Sequence, residues 1–250
     1  MNNWLKNIRA VLLYKIYFRI LRRINAGRPE LISGALDSIL VIAPHPDDDV
    51  IGCGGILSKN RGKKIKVIFL TDGRYGGTSY KGDELVGIRK KEAINALWDL
   101  GISNVEFLSF EDGTLGDNIA MASAMLKDIY LWDNIFLPNI LDNHQDHKAA
   151  ALAVYGALSK VKNVKSKLWL YEIWTPVSPN VLVDITKEAQ AKMAAINRHA
   201  SQVKCYDYSE KILGLNAYRA ISVPAEQNVR FCEGFCRCGY NDFKQMLNLI

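Results

Sequence analysis

The chain has 250 residues, 49% of them apolar, which is enough for one α/β domain with a substantial core. Its net charge is +6, but seven basic residues against one acid fall within the first 30 positions, and the remaining 220 carry 25 of each sign. The globular part is electrically balanced, which excludes a broad phosphate-binding face and with it a nucleic-acid partner.

The basic stretch, Met1 to about Arg28, sets Trp4, Tyr14, Tyr17 and Phe18 among Lys6, Arg9, Lys15 and Arg19. Its apolar run is broken by Lys15 and Arg19 and falls short of the ~20 residues that span a bilayer. It also lacks the small-residue cleavage site of a signal peptide. The pattern suits a helix that rests peripherally on an anionic membrane surface through residues 1–28, or one that packs on protein. We therefore read residues 1–34 as a basic, aromatic N-terminal arm and 35–250 as one domain without repeat or linker. Five cysteines and no export signal suit reduced thiols in a cytoplasmic protein, at most peripheral at the inner face of the membrane. The spacing of Cys232, Cys236 and Cys238 is not that of a zinc knuckle.

The domain opens on Ile39-Leu40-Val41-Ile42-Ala43, followed by Pro44-His45-Pro46 and three carboxylates, Asp47, Asp48 and Asp49. Such an apolar run predicts a strand buried on both faces of a parallel sheet. Each proline holds the residue before it extended, so His45 stands stiffly at the strand's C-terminal end. In open α/β sheets that end is where ligand sites form. Three adjacent acids repel one another unless a cation, an arginine or water relieves them, and imidazole beside carboxylates after a buried strand is a common metal-site pattern.

Residues 51–57 open a helix whose glycines permit close backbone approach; they do not form G-x-G-x-x-G, so a dinucleotide site has no support. A second strand at 66–70 ends near Asp72, and 73–80 is a Gly/Ser/Thr-rich rim loop. A helix follows over 84–100, with Asp83 as N-cap and Gly101 as its stop. Further strands are expected at 104–108, 134–137, 168–173 and 181–185, and helices at 119–130 and from about 185 to 202. Strands alternating with helices predict a doubly wound, mostly parallel, Rossmann-like sheet with helices on both faces. Tyr171 and Trp174 are expected to pack in the core, and His199 suits a structural histidine and a substrate contact equally, so it stays outside the catalytic set.

A second chemical stretch, Asn143-His144-Gln145-Asp146-His147-Lys148, precedes an alanine-rich run that favours helix, so both histidines fall at a first turn. Residues three apart on a helix share a face, so His144 and His147 can look into one site. Together, Pro44-His45-Pro46-Asp47-Asp48-Asp49 and His144-x-Asp146-His147 resemble the signature of the PIG-L/LmbE family of zinc-dependent N-deacetylases. The likeness continues through Leu70-Thr71-Asp72-Gly73, Arg89-Lys90-Lys91-Glu92, Asp112-Gly113, Trp174-Thr175-Pro176, Pro179-Asn180-Val181 and His199-Ala200-Ser201-Gln202. Asp49 stands where the family has Glu, and Gln145 where it has Pro.

The resemblance implies one zinc ion on His45, Asp48 and His147, with Asp47 as general base. It implies a protonated His144 that stabilises the oxyanion, kept oriented and charged by Asp146, and sugar or phosphate contacts from Arg89 and Asp112. The implied activity is hydrolysis of the N-acetyl group of a GlcNAc-type sugar conjugate with release of acetate. The basic arm favours a lipid-linked or membrane-proximal glycan. Clustered aspartates also suit a magnesium-dependent phosphoester hydrolase, although two histidines favour zinc. A non-catalytic glycan-binding homologue is the third reading, against which stands the presence of the base and every ligand.

Overall fold

The five-residue apolar run forms strand β2 (Ile39–Ala43), and every residue of it is buried. The computed structural model describes residues 15–16, 18–20, 22–23, 27–76, 79–203 and 207–248. The other strands are β1 (Glu30–Ile32), β3 (Ile65–Thr71), β4 (Val105–Phe110), β5 (Asn134–Pro138), β6 (Lys167–Tyr171), β7 (Val181–Asp184) and β8 (Cys232–Cys238). They form one sheet in the order β1-β7-β8-β6-β5-β2-β3-β4. All pairings are parallel except those of β8, which runs antiparallel to both β6 and β7.

The helices are α1 (Asp48–Lys59), α2 (Gly82–Asp99), α3 (Ile119–Met125), α4 (Gln145–Leu158), α5 (Ala189–Asn197), α6 (Ala200–Val203), α7 (Tyr208–Ala220) and α8 (Tyr240–Leu247). Helices cover both faces, which is why β2 reads as unbroken apolar sequence. Leu40 and Ile42 join the core layer of α4, with Ala150, Ala153 and Val154, while Ile39, Val41 and Ala43 join the layer of α1 and α2. Burying each large aliphatic side chain this way stabilises the fold by about 1.5–3 kcal/mol. Close approach of α1 to the sheet depends on Gly52, where a Cβ would lie 2.3 Å from the Tyr171 ring.

The expected doubly wound, mostly parallel sheet is present, with β8 added between β7 and β6. Its Cys-Glu-Gly-Phe-Cys-Arg-Cys sequence did not suggest a strand. The buried carboxylate of Glu233 is satisfied by partners far along the chain, the N–H groups of Gly55 and Ile56 at 2.7 and 2.8 Å and Lys192 Nζ at 2.7 Å. Tyr171 packs in the core as expected, its hydroxyl donating to the Ile42 carbonyl at 2.8 Å.

Most of the stretch read as a basic arm that rests on a membrane surface or packs on protein, residues 1–14, 17, 21 and 24–26, lies outside the described residues. Within the described part, Ile20 is buried in the core, Arg23 pairs with Asp242, and Ile16 and Phe18 are exposed. Glu30–Ile32, also in the stretch assigned to the arm, pairs with β7 at the sheet edge. Among the described residues no helix is long and apolar enough to cross a membrane. Cys53, Cys232, Cys236 and Cys238 are free and buried, and Cys205 lies outside the described residues.

Candidate active site

The site forms where β2 ends. Thr71, the last residue of β3, donates both its backbone N–H and its hydroxyl to the Pro44 carbonyl at 2.9 Å, fixing the proline-bracketed turn. The chain then passes through Asp47, with φ 156° and ψ −25°, into α1. That sparsely populated backbone conformation at a non-glycine residue persists only where surrounding structure holds it. Asp48 Oδ2 accepts from the His45 N–H at 2.9 Å and lies 3.1 Å from His45 Nδ1, so the turn locks the two side chains together.

Helix α4 brings the second stretch to the same point. His144 is its N-cap, the Nδ1 atom accepting from the Asp146 N–H at 3.2 Å. His147 Nε2 lies 3.3 Å from the same Asp48 Oδ2 that faces His45. The three imidazoles of His45, His144 and His147 cluster with ring centroids 4.6 to 5.3 Å apart. One carboxylate oxygen thus sits between two imidazole nitrogens contributed by residues 102 positions apart.

Four carboxylates surround this pair of rings. His45 Nε2 is 3.1 Å from Asp112 Oδ1 and 3.4 Å from Asp146 Oδ2, and His147 Nδ1 is 3.2 Å from Asp142 Oδ1. Burial alone would discharge the imidazoles, but the carboxylates outweigh it. Asp112, Asp146 and Asp48 raise His45 well above the ordinary histidine range, and Asp48 and Asp142 push His147 up to about 9. Conversely, burial opposes charge on Asp48, yet His147 and His45 hold it far below the usual carboxylate range. Asp112 is held down to about 2, where burial is outweighed by His45. Asp49 is different: it is fully buried, no side-chain partner is present for either oxygen among the described residues, and burial pushes its carboxyl well up against the opposing pull of the Val50 N–H.

The donor set fits a divalent ion. His147 is completely buried, and its ring nitrogens sit at ion-pair distance from Asp48 and Asp142 without the alignment of hydrogen bonds. In a tetrahedral zinc site with bonds of about 2.0–2.2 Å, neighbouring donor atoms lie roughly 3.3–3.6 Å apart. The 3.1 and 3.3 Å separations about Asp48 Oδ2 are close to that spacing. Among the described residues, the groups that offer one donor atom per residue all within 4.8 Å of one another are His45/His144/His147 and His45/Asp112/Asp146, and His45 belongs to both.

All eight residues singled out in the sequence come together here. Asp47 lines the cavity, and its Oδ1 accepts from Arg89 Nη2 at 3.0 Å. Burial pushes the Asp47 carboxyl up to about 6 against the opposing pull of Arg89. Arg89 itself is buried, its remaining contacts being the Gly73 and Pro46 carbonyls at 2.9 and 3.1 Å. Asp146 reaches His144 through its backbone N–H. Its carboxylate accepts instead from the Gly113 and Leu115 N–H groups at 2.7 and 3.2 Å. Burial, and the neighbouring His45 and His147, lower the pKa of His144.

The resulting cavity has a volume of ≈ 240 Å³. Trp174, expected in the core, stands instead half-exposed at its mouth with Tyr208, because the loop after β6 is drawn to Asp142 rather than inward. Sequence reasoning missed Asp142; Tyr75, in the expected rim loop, and Gln202, in the family-like His199–Gln202 stretch, line the cavity without having been singled out individually. The Asp two positions before His144 was the one available signal, since Asp142 is fully buried and binds His147. A larger hollow of ≈ 560 Å³ between α2 and β4 is lined by Lys90, Ile94 and Trp98 and gathers no comparable chemistry, so size does not identify the site.

Comparison with known proteins places these features in context. The PIG-L family, described as GlcNAc-PI de-N-acetylase, matches residues 40–158. A Bacillus subtilis (strain 168) protein named "Probable N-acetyl-alpha-D-glucosaminyl L-malate deacetylase 2" is 30% identical over 190 residues, covering 67% of this chain and 84% of its own. The "Diacetylchitobiose deacetylase" of Thermococcus kodakarensis is 27% identical over 216 residues, with 77% of each chain covered. The solved N,N'-diacetylchitobiose deacetylase of Pyrococcus horikoshii shares the fold with a TM-score of 0.67 at 23% identity, over 96% of this chain and 95% of that one.

Proposed function

Since the chain belongs to the PIG-L family, we propose that it is a zinc-dependent deacetylase that hydrolyses the N-acetyl group of a GlcNAc-type sugar conjugate and releases acetate. The observation that carries this reading is the convergence of His45, Asp48 and His147 on one carboxylate oxygen, with Asp47 and His144 on the wall of the same cavity. His45, Asp48 and His147 would hold the ion. When bound, it supplies a Lewis acid for the amide carbonyl and lowers the pKa of a water from 15.7 to about 7.

The chain's own groups then divide the proton work. Asp47, fixed by Arg89 and by its turn, takes a proton from the attacking water as that oxygen adds to the acetyl carbon. The same carboxyl returns the proton to the amine as the C–N bond breaks, leaving acetate and a free amino sugar. His144 accepts from the Asp146 N–H at Nδ1, which leaves its ring proton on Nε2 as a donor for the developing oxyanion. Asp112, beside His45 and fixed by the Tyr75 N–H at 3.2 Å, and Arg89, through Asp47, shape the sugar end of the cavity.

The basic arm supports a finer proposal, that the enzyme works on a lipid-linked or membrane-proximal glycan. Lys15, Arg19 and Arg22 are exposed beside exposed Ile16 and Phe18, a combination that favours an anionic surface. Full-length protein that fails to bind vesicles containing anionic lipid at low salt removes that proposal.

For the activity itself, zinc-loaded protein is incubated with a panel of N-acetylated sugar conjugates, and free amine and acetate are measured. Equal release of both, abolished in Asp47→Asn, is expected. No release from any conjugate by metal-loaded protein contradicts the reading.

A further inference from the structure

Resting on the deacetylase reading, we propose that Lys192 and Glu233 are positioning residues for the active site. Their buried ion pair fixes helix α1 from behind, and with it the proposed base Asp47 and the proposed metal ligand Asp48. Lys192 Nζ lies 2.7 Å from Glu233 Oε1, and both side chains are 1% exposed. A pair buried this deeply is weak support for a fold, because the loss of hydration at both charges offsets most of their attraction. Apolar replacements of similar volume are often neutral or stabilising. Stability alone therefore does not account for placing two charges here.

The carboxylate's other contacts supply a reason. Glu233 accepts from two consecutive N–H groups of α1, that of Gly55 at Oε1 and that of Ile56 at Oε2, at 2.7 and 2.8 Å. Two bonds to adjacent groups hold a helix both along and around its axis. The approach depends on missing side chains: a Cβ on Gly54 would lie 2.9 Å from Lys192 Cγ, and one on Gly55 2.5 Å from Ile185 Cγ2. Gly55 stands seven residues after Asp48, about 10 Å along the helix at 1.5 Å per residue. The pair thus grips the same rigid element that carries Asp48 in its first turn.

The same grip closes a ring of polar ties around the base. Lys192 belongs to α5, and the chain runs on from α5 into α6. There the Ser201 N–H and hydroxyl donate to the two oxygens of Glu92 at 2.8 and 2.6 Å. Glu92 stands on α2 three residues after Arg89, whose Nη2 donates to Asp47 Oδ1 at 3.0 Å. Asp47 is the N-cap of α1, which completes the circuit from α1 through α5, α6 and α2 back to α1. Helix α1 is therefore held at its start by Arg89 and at its middle by Glu233. Slack at Glu233 reappears at Asp47, whose sparsely populated backbone conformation needs such support. A displacement of about 1 Å at reacting groups, caused from a distance, can cost about 10²-fold in rate.

The test uses the double variant Lys192→Met/Glu233→Leu and the single variant Glu233→Asp. The double variant removes both charges together, whereas Glu233→Asp keeps a charge for Lys192 but draws the carboxylate back from α1 by one methylene. Zinc affinity is read by competition with a chelating dye, ligand geometry by the visible spectrum of the cobalt(II)-substituted protein, and kcat and KM on an N-acetylated sugar conjugate. The double variant should melt at or above the wild-type temperature. Its zinc affinity should nevertheless fall about 10–100-fold, with an altered cobalt spectrum. Its kcat should fall about 10²-fold with a smaller change in KM. Glu233→Asp should move zinc affinity, spectrum and kcat in the same direction. Wild-type zinc affinity, cobalt spectrum and kcat in the folded double variant overturn the proposal and leave the pair as packing alone. If the double variant does not fold, the same wild-type values in Glu233→Asp overturn it. Zinc binding by the wild type without amine release from any conjugate removes the deacetylase reading instead, and zinc affinity and spectrum then decide the positioning role.

Discussion

Replacing Asp142 by Asn tests how His147, the proposed metal ligand, is held. The Asp142 carboxylate is fully buried, with Oδ1 accepting from the His144 N–H at 3.0 Å and facing His147 Nδ1, and Oδ2 accepting from Trp174 and Thr175. Burial opposes its charge, but His147 and these N–H groups hold its pKa below the usual range. Asparagine keeps the shape but exchanges one acceptor oxygen for an NH₂ that can only donate. If the NH₂ takes the Oδ2 position, two hydrogen bonds to a charged group are lost, each worth about 1.5–3 kcal/mol net. At roughly 2–4 °C per kcal/mol for a chain of this size, metal-free protein should melt at least ~6 °C lower. If it takes the Oδ1 position, His147 loses its orienting partner. In either case the neutral side chain no longer raises the basicity of His147, and removing such a partner costs about 10–100-fold in metal affinity. Thermal unfolding without metal and zinc competition against a chelating dye read the two effects separately. Wild-type zinc affinity in Asp142→Asn would refute the positioning role, whatever happened to stability.

Asp47→Asn should lower turnover about 10²–10⁴-fold while retaining zinc, and undiminished turnover would remove the base assignment. His144→Ala should cost about 10²–10³-fold in kcat with the metal retained, whereas loss of metal would make His144 a ligand. His199 is buried, finds no hydrogen-bond partner for either ring nitrogen among the described residues, and is pushed down to about 3 by burial first and then by Arg89. Because an unfolded histidine titrates near 6.5, the unfolded chain binds one more proton between about pH 6.5 and 3, and stability falls as pH drops through that window. Urea unfolding at pH 7 and pH 5 should therefore show His199→Phe losing about 2 kcal/mol less than wild type on acidification. Equal losses would contradict a buried neutral imidazole.

What could be read in advance follows from where each signal is written. The β2 run was legible because both faces of that strand are buried, and α4 because its alanines favour helix and His144 caps it. The convergence of His45, Asp48 and His147 was legible because each sits beside a local constraint, a proline-bracketed turn or a helix start. The position of β8 was not, since the charge of Glu233 is matched by α1 and by Lys192, 41 residues away. Asp142 was missed for the same reason: its partners Trp174 and Thr175 lie 32 and 33 residues on. The half-exposed place of Trp174 at the cavity mouth could not be read from its residue type, which suits core packing equally. For Asp146, residue type concealed that its carboxylate belongs to the Gly113–Leu115 turn while its backbone serves His144.

The most direct measurement is a crystal structure of the protein with zinc, located by anomalous scattering at the zinc edge. A single peak within about 2.0–2.2 Å of one donor atom each from His45, Asp48 and His147 is the expected result. A peak on His45, Asp112 and Asp146, or none at saturating zinc, would contradict the metal centre on which the proposed chemistry depends.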